Sequence, residues 1–282
     1  MDIDRLIAFS LCSQKSKTYV KALNVKAQRV SLSIKDSDRI SLFFSTVKVG
    51  PFWIGINFWP GYNCPIPKFE NAIIHFLHLF YSRKIDSFHV KSDSFNIKKF
   101  TKILPKNLEI CGLYLDELTS NNPLPAILKE LKPSKILLLR QNPFLKNGKL
   151  SYFLLTNLDR IFISNGIDLK LDDLLSMNMT DMQINNSRFS EKDLNRFLRL
   201  WIRGANPRLK YFSAGCRTVR MENILKGIPN QEFEELKCYE RLNRDNELQI
   251  REIKNGFEVR RKDGIVATVY MRGGMYFTMV LL

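Results

Sequence analysis

Three apolar positions spaced as L-x-x-L-x-L recur along the middle of the chain. They are Ile85, Phe88 and Val90; Leu108, Cys111 and Leu113; Pro133, Ile136 and Leu138; Leu158, Ile161 and Ile163; Met179, Met182 and Ile184; Leu209, Phe212 and Ala214. Side chains alternate along a strand, so the last two members of each triplet share one face and the residue between them takes the other. Between triplets the apolar period lengthens to that of a helix, in KFENAIIHFLHLFYS, NIKKFTKIL, PAILKEL, KLSYFLLT, LDDLLSM and SEKDLNRFLRLWIRG. Strand and helix alternating at a period of roughly 25 residues predict right-handed parallel crossovers. The expected fold is α/β: a leucine-rich-repeat-like solenoid of helix/strand units with a parallel sheet, spanning residues 66–216. Asn165, and Asn185 with Asn186, follow two triplets where such repeats use Asn to satisfy turn backbone, whereas Pro133 fits its anchor position poorly. An ordinary three-layer α/β domain would give the same alternation. Its nucleotide-binding form needs G-x-G-x-x-G or G-x-x-x-x-G-K-[ST], and neither is present.

Both flanks change period. From Arg29 the stretch RVSLSIKDSDRISLFFSTVKVGPFWIGINFW alternates apolar and polar residues around a KDSD turn, predicting antiparallel strands over residues 29–60. Residues 236–282 carry turn signals at Asn255-Gly256, Asp263-Gly264 and Gly273-Gly274, predicting a four-stranded C-terminal β-meander. Such end pieces cover the open edges of a repeat array.

Residues 193–212, DLNRFLRLWIRGANPRLKYF, interleave arginine and lysine with aromatic residues, as a nucleic-acid grip would. Spacing assigns them otherwise. On a helix, Leu194, Phe197, Leu198 and Trp201 form one apolar face, while Arg196, Arg199 and Arg203 lie opposite or on its flanks. Ser190 and Asp193 make an N-terminal cap, Gly204 stops the helix, and RLKYFSAG is the next strand. Base stacking needs exposed rings, and this pattern sends them to the core.

Composition sharpens this picture at three points. Apolar residues make up 45% of the 282, with 20 Phe and 9 Tyr, which is core-forming material for a folded chain. A net charge of +16 favours acidic partners, whether nucleic acid, membrane surface or protein. The basic residues are spread rather than gathered into an arm, which argues against nucleic acid. Cys12, Cys64, Cys111, Cys216 and Cys238 are odd in number and lack any C-x-x-C pairing, so they are expected as reduced core thiols. The start, MDIDRLIAFSLC, has acidic residues where a secretory signal is basic, and no apolar run reaches the length of a membrane span. The expectation is an intracellular, cytoplasmic or nuclear protein without a membrane partner.

Candidate chemistry is sparse. His75 and His78 lie one helical turn apart and His89 follows, but no acidic or cysteine ligand completes a metal set. No G-x-S-x-G elbow or H-E-x-x-H helix is present. The chain is expected to be no enzyme, with no catalytic residues, cofactor or metal.

The segments LLTNLDRIFISN and NRFLRLWIRGANPRLKYFS, together with FEVRRKDGIVATVYM, resemble the type 2 F-box-associated domain of nematode F-box B proteins. Its marks here are W-I-x-G, then N-P-R-L before a strand, then a basic R-R-x-D-G-x-x-A-T hairpin. The resemblance runs over residues 29–282. Residues 2–23, DIDRLIAFSLCSQKSKTYVKAL, are similar to the latter half of an F-box, so residues 1–28 are expected to be partial F-box helices. The resemblance implies a substrate-recognition subunit of an SCF-type cullin ubiquitin ligase. In that role the F-box docks on a Skp-type adaptor and the associated domain recruits an unknown target protein. Leu6, Ile7, Phe9 and Leu11 are the implied adaptor contacts, with packing against the end of the solenoid as the alternative. Outward strand positions His89, Gly112, Leu137, Phe162, Gln183 and Ser213 are the candidate partner contacts, and Arg160 and Lys210 add positive charge. Two alternatives stand beside this: a stand-alone protein-binding module whose incomplete F-box leaves it outside the ligase, and a nucleic-acid-binding protein.

Overall fold

The computed structural model describes residues 6, 9–10, 12–24, 27–36, 39–46, 50–58, 69–79, 82–91, 97–116, 124–140, 157–164, 169–216, 219–242 and 248–282. The chain divides into two compact units, Met1–Leu138 and Leu139–Leu282. Each has a mixed α/β architecture in which parallel strands continue into antiparallel ones.

In the first unit the chain runs through helix α1 (Gln14–Ala22) and strands β1 (Ala27–Asp36), β2 (Arg39–Thr46) and β3 (Gly50–Phe58). Helix α2 (Phe69–Leu79) leads to β4 (Lys84–Ile85) and β5 (Ser87–Val90). Then come α3 (Ile97–Ile103), β6 (Glu109–Ile110), β7 (Gly112–Leu115), α4 (Leu124–Glu130) and β8 (Ile136–Leu139). The sheet order is β3-β2-β1-β5-β7-β8, with β4 and β6 as a separate parallel pair. The expected antiparallel strands are there, since β1 pairs with β2 and β2 with β3. They continue the sheet rather than form a separate cap, because β1 also pairs in parallel with β5.

Alternation decides which side chains enter the core of this unit. Leu32 faces Phe88, which faces Leu113, and Ile34 faces Val90, which faces Leu115. All six are buried, and Phe100 of α3 stacks on Phe88 at 5.2 Å between ring centres. Phe76 of α2 and Ile127 and Leu128 of α4 add to the buried apolar set. Two anchor triplets are corrected. Phe88 is level with Leu113 rather than Cys111, a slip of two positions that leaves the inward face unchanged. The N–H groups of Lys135 and Ile136 both donate to the Cys111 carbonyl, which sets Ile136 opposite Gly112 and Leu137 level with Leu113. Here the slip is one position, so Leu137 takes the anchor place given to Leu138.

The second unit holds β9 (Arg160–Ile163), α5 (Leu171–Ser176), β10 (Asp181–Ile184), α6 (Glu191–Ile202), β11 (Tyr211–Gly215) and α7 (Met221–Ile224). Then follow β12 (Asn230–Phe233), β13 (Lys237–Leu242), β14 (Leu248–Ile253), β15 (Gly256–Arg260), β16 (Val266–Arg272) and β17 (Tyr276–Val280). Its sheet runs β9-β10-β11-β17-β16-β15-β12. In the parallel part the triplets fall in step: Ile161 faces Met182 and Met182 faces Phe212, while Ile163, Ile184 and Ala214 form the next row. The helical stretch KLSYFLLT and Asn165 lie outside the described residues.

Helix α6 forms as its sequence dictates. Ser190 Oγ accepts from the Asp193 N–H at 3.2 Å, and the Asp193 carboxylate accepts from the Ser190 N–H at 2.9 Å, a reciprocal cap. Leu194, Phe197, Leu198 and Trp201 are fully buried, each such side chain contributing about 1.5–3 kcal/mol. Beyond its end, Gly204 has φ of 106° and Asn206 φ of 48°, the left-handed region that glycine and asparagine adopt most readily. Asn206 Nδ2 then donates to the carbonyls of Leu174 and Met177 at 3.0 and 2.6 Å, closing the end of α5. Arg208 reaches the Asp159 carboxylate at 2.8 Å, so the N-P-R-L stretch clamps two crossovers together. The basic R-R-x-D-G hairpin meets the same helix end. The Lys262 N–H donates to the Ile202 carbonyl at 3.0 Å, and the Arg261 guanidinium sits 5.4 Å from the Trp201 ring centre. Its hydrogen bonds to Asp263 pull that carboxyl below the usual range.

The C-terminal meander is corrected in one respect. Strands β15, β16 and β17 pair in succession as expected, but β14 pairs with β13 in a separate two-stranded sheet. Asn255-Gly256 therefore passes the chain from one sheet to the other instead of closing a hairpin. A Cβ on Gly256 would meet the Val269 carbonyl at 3.0 Å and the Phe233 ring at 3.1 Å, which explains the glycine at this crossing. Cysteine placement also differs from expectation: Cys111 and Cys216 are buried thiols, Cys12 and Cys238 are exposed, and Cys64 lies outside the described residues.

Candidate functional site: an arginine-lined pocket beneath the C-terminal hairpin

In the second unit the outward side chains form rows across the sheet. Arg160, Asp181, Tyr211 and Val280 make one; Phe162, Gln183, Ser213 and Thr278 make the next. The β13–β14 hairpin lies over this face. Its Tyr239 and Ile253 pack with Tyr211, Tyr270 and Val280 into a buried cluster, against which Phe233 rests. The Tyr239 and Tyr270 hydroxyls are 3.1 Å apart. Burial, then the bond with Tyr239, pushes the Tyr270 phenol up, and burial does the same for Tyr211, so both stay neutral donors.

Ionic contacts fix the hairpin's position. Arg241 of β13 grips Asp181 with two nitrogens at 3.0 to 3.1 Å and lies 3.6 Å from the Tyr211 ring centre. Arg160 approaches Asp181 from the sheet at 3.6 Å and donates to the Leu242 carbonyl at 2.5 Å. Burial pushes the Asp181 carboxyl up from the usual carboxylate range, against the pull of Arg241 and Arg160. Lys237 pairs with Glu258 at the other end of β13 and lies over the Phe233 ring at 4.1 Å.

Where the hairpin stops, the face opens into a pocket of about 270 Å³ whose walls include Phe162, Gln183, Arg241, Arg251, Arg272 and Tyr276. Arg272 donates to the Tyr211 hydroxyl at 3.2 Å and packs 4.9 Å from the Tyr276 ring centre. Arg251 is exposed and donates to Gln249 Oε1. Neither Arg251 nor Arg272 meets a carboxylate among the described residues. The Gln183 side-chain nitrogen is buried and has no acceptor there. The pocket thus combines two guanidinium groups that meet no described carboxylate, an amide donor without a described acceptor, and aromatic walls.

The six candidate partner contacts are placed unequally. Phe162, Gln183 and Ser213 share one row, and the first two line the pocket. His89 is half-buried and stacks on Tyr114 at 4.3 Å, the residue level with it, so the ring of Tyr114 takes the place in the row given to Gly112. Gly112 is itself buried with Tyr114 against it, and Leu137 is buried in step with the core anchors. Arg160 is committed to Asp181 and Leu242, whereas Lys210 is exposed. Arg241, Arg251 and Arg272 were not among the expected contacts. Their signal was three arginines at strand positions within the stretch read as a plain meander and its approach.

At the N-terminal end Leu6 is buried and Phe9 exposed, while Ile7 and Leu11 lie outside the described residues. Helix α1 packs against α2. Ser10 meets His75 Nε2 at 2.9 Å and Lys21 meets His78 Nε2 at 2.7 Å. Burial, then the charges of Lys17 and His78, pushes His75 down to about 4. No described helix is long and apolar enough to cross a membrane.

Residues 149–214 match the protein-family model described as F-box associated, FBA_2. The F-box associated domain-containing protein sdz-33 of Caenorhabditis elegans is 30% identical over 100 residues, covering 35% of this chain and 30% of that protein. The aligned stretch thus spans less than a third of the curated relative's length. No solved structure matches the chain. The family match covers β9, α5, β10, α6 and most of β11, of which β9 and β10 give Phe162 and Gln183 to the pocket and the turn after β10 gives Asn185, and there the chain is similar to F-box associated domains.

Proposed function

We propose that the chain recognises a target protein on behalf of an SCF-type cullin ubiquitin ligase, with its helix/strand units stacked as a leucine-rich-repeat-like solenoid. One observation carries this reading: the F-box associated match covers Phe162, Gln183 and Asn185, which line a pocket whose arginines come from β13, β14 and β16. A sheet face partly closed by a hairpin and open at one cationic end suits capture of a protein segment better than bond chemistry. The reading includes no catalysis, no cofactor and a cytoplasmic or nuclear setting. All four aromatics of the stretch 193–212, Phe197, Trp201, Tyr211 and Phe212, are buried, which removes the stacking platform a nucleic-acid reading needs.

The ligase link rests on the resemblance of residues 2–23 to part of an F-box. Exposed Phe9 can reach an adaptor, and buried Leu6 holds the segment to the protein. That burial also favours the second reading, a stand-alone module that binds its target and sequesters it. Co-purification with a Skp-type adaptor separates the two. The ligase reading expects adaptor capture by the full chain, with loss on Phe9→Asp; absence of capture leaves the stand-alone module.

A further inference from the structure

We infer that the pocket receives a phosphate monoester carried on an extended segment of the partner protein. This rests on the protein-binding reading and names the chemistry of that site. Charge counting supplies the first step. Asp181 is shared between Arg160 and Arg241, and Arg251 and Arg272 add two further positive charges that no described carboxylate offsets. A carboxylate side chain would neutralise one of these, whereas a phosphate monoester carries about −1.5 to −2 at neutral pH and matches both. Guanidinium groups also present paired N–H donors that suit phosphate oxygens.

Donor geometry supplies the second step. Among the described residues the buried Gln183 nitrogen has no acceptor, an arrangement that costs about 1–3 kcal/mol unless an occupant supplies an oxygen. Gln183 and Arg272 line the same cavity and Arg272 is held in place by Tyr211 and Tyr276, so these two donors need little reordering, and exposed Arg251 stands in the wall beside them. Size supplies the third. At about 270 Å³ the cavity is below the usual range for cofactor sites and fits a single phosphorylated side chain.

The test uses the full chain and arrays of peptides with a central phosphoserine, phosphothreonine or phosphotyrosine, the same peptides unphosphorylated, and the same with glutamate. The expected result is at least about tenfold tighter binding of phosphorylated peptides than of either control, competed by phenyl phosphate. Arg251→Glu and Gln183→Leu should each abolish that preference while the melting temperature holds. Equal binding of phosphorylated and plain peptides overturns the phosphate inference and leaves protein recognition intact. Failure to bind any peptide overturns both. Retention of the preference in both variants moves the phosphate away from this pocket, and Arg251-dependent binding of anionic vesicles or RNA in place of peptides also overturns the inference.

Discussion

Replacing Asp181 with alanine removes the carboxylate on which two guanidinium groups converge under the hairpin. The side chains concerned are 10% exposed for Asp181, 8% for Arg160 and 14% for Arg241, so water can do little to solvate charges left behind. Breaking a buried ion pair by deleting one partner costs about 3–5 kcal/mol, most of it the penalty of stranding the remaining charge. A surface pair would cost about 1 kcal/mol or less. With a urea dependence of about 2 kcal/mol per molar, the expected loss lowers the unfolding midpoint by roughly 2 M. Equilibrium unfolding followed by near-ultraviolet circular dichroism and tryptophan fluorescence reads this directly, because Trp201 is buried in the same unit. The companion variant combines Arg160→Met, Asp181→Leu and Arg241→Met, and should fall within about 1 kcal/mol of the parent or above it, since apolar side chains of similar volume often replace a buried ionic group without loss. A midpoint shift in Asp181→Ala equivalent to less than about 1 kcal/mol would place these charges in solvent and refute the reasoning.

Three further substitutions test other parts of the scaffold. Asn206→Ala should cost about 2–3 kcal/mol, because the Leu174 and Met177 carbonyls lose their donor and alanine is strained at φ of 48°; Asn206→Gly should recover the backbone share, a difference visible in thermal melts. Ser190→Ala should remove about 1 kcal/mol by opening the cap of α6, and Ser190→Asn should restore most of it in the same measurement. His75 is held down to about 4, below its unfolded value of 6.5, so the unfolded chain takes up the proton first. Stability should therefore be level above about pH 6.5 and fall by about 2 kcal/mol toward pH 4, a figure reduced for the ring's partial exposure. Urea midpoints at pH 7.5 and 4.5 should show that slope and lose it in His75→Gln.

Legibility in the sequence followed how much each stretch constrained its own register. Around Met182 and Phe212 the anchors are flanked by polar residues, so one alternation fits and the rows fell where expected. The run ILLL of β8 is apolar throughout, and nothing local says whether Leu137 or Leu138 points inward. In LEICGLYL two frames satisfy the same spacing, Leu108-Cys111-Leu113 and Ile110-Leu113-Leu115, and pairing with β5 selects the second. Helix α6 was readable because its cap, stripe and stop agree with one another. The pocket was not readable for a different reason. Turn signals locate the ends of strands but not their partners, so nothing in ELQIREIKNG announces that β14 leaves the main sheet to pair with β13. Arg241, Arg251 and Arg272 acquire a common purpose only after that departure.

Because β13 and β14 share no backbone ladder with the sheet below them, among the described residues the hairpin is attached sideways, by rings and guanidinium groups. The outer surface of the hairpin can therefore change apart from the sheet that carries it. Substitutions at the exposed positions Cys238, Glu240, Leu242, Leu248, Ile250 and Glu252 can change that surface while Tyr239, Arg241 and Ile253 go on holding the hairpin to the sheet. A graft of this hairpin onto another sheet would need an aspartate at the place of Asp181 to hold Arg241.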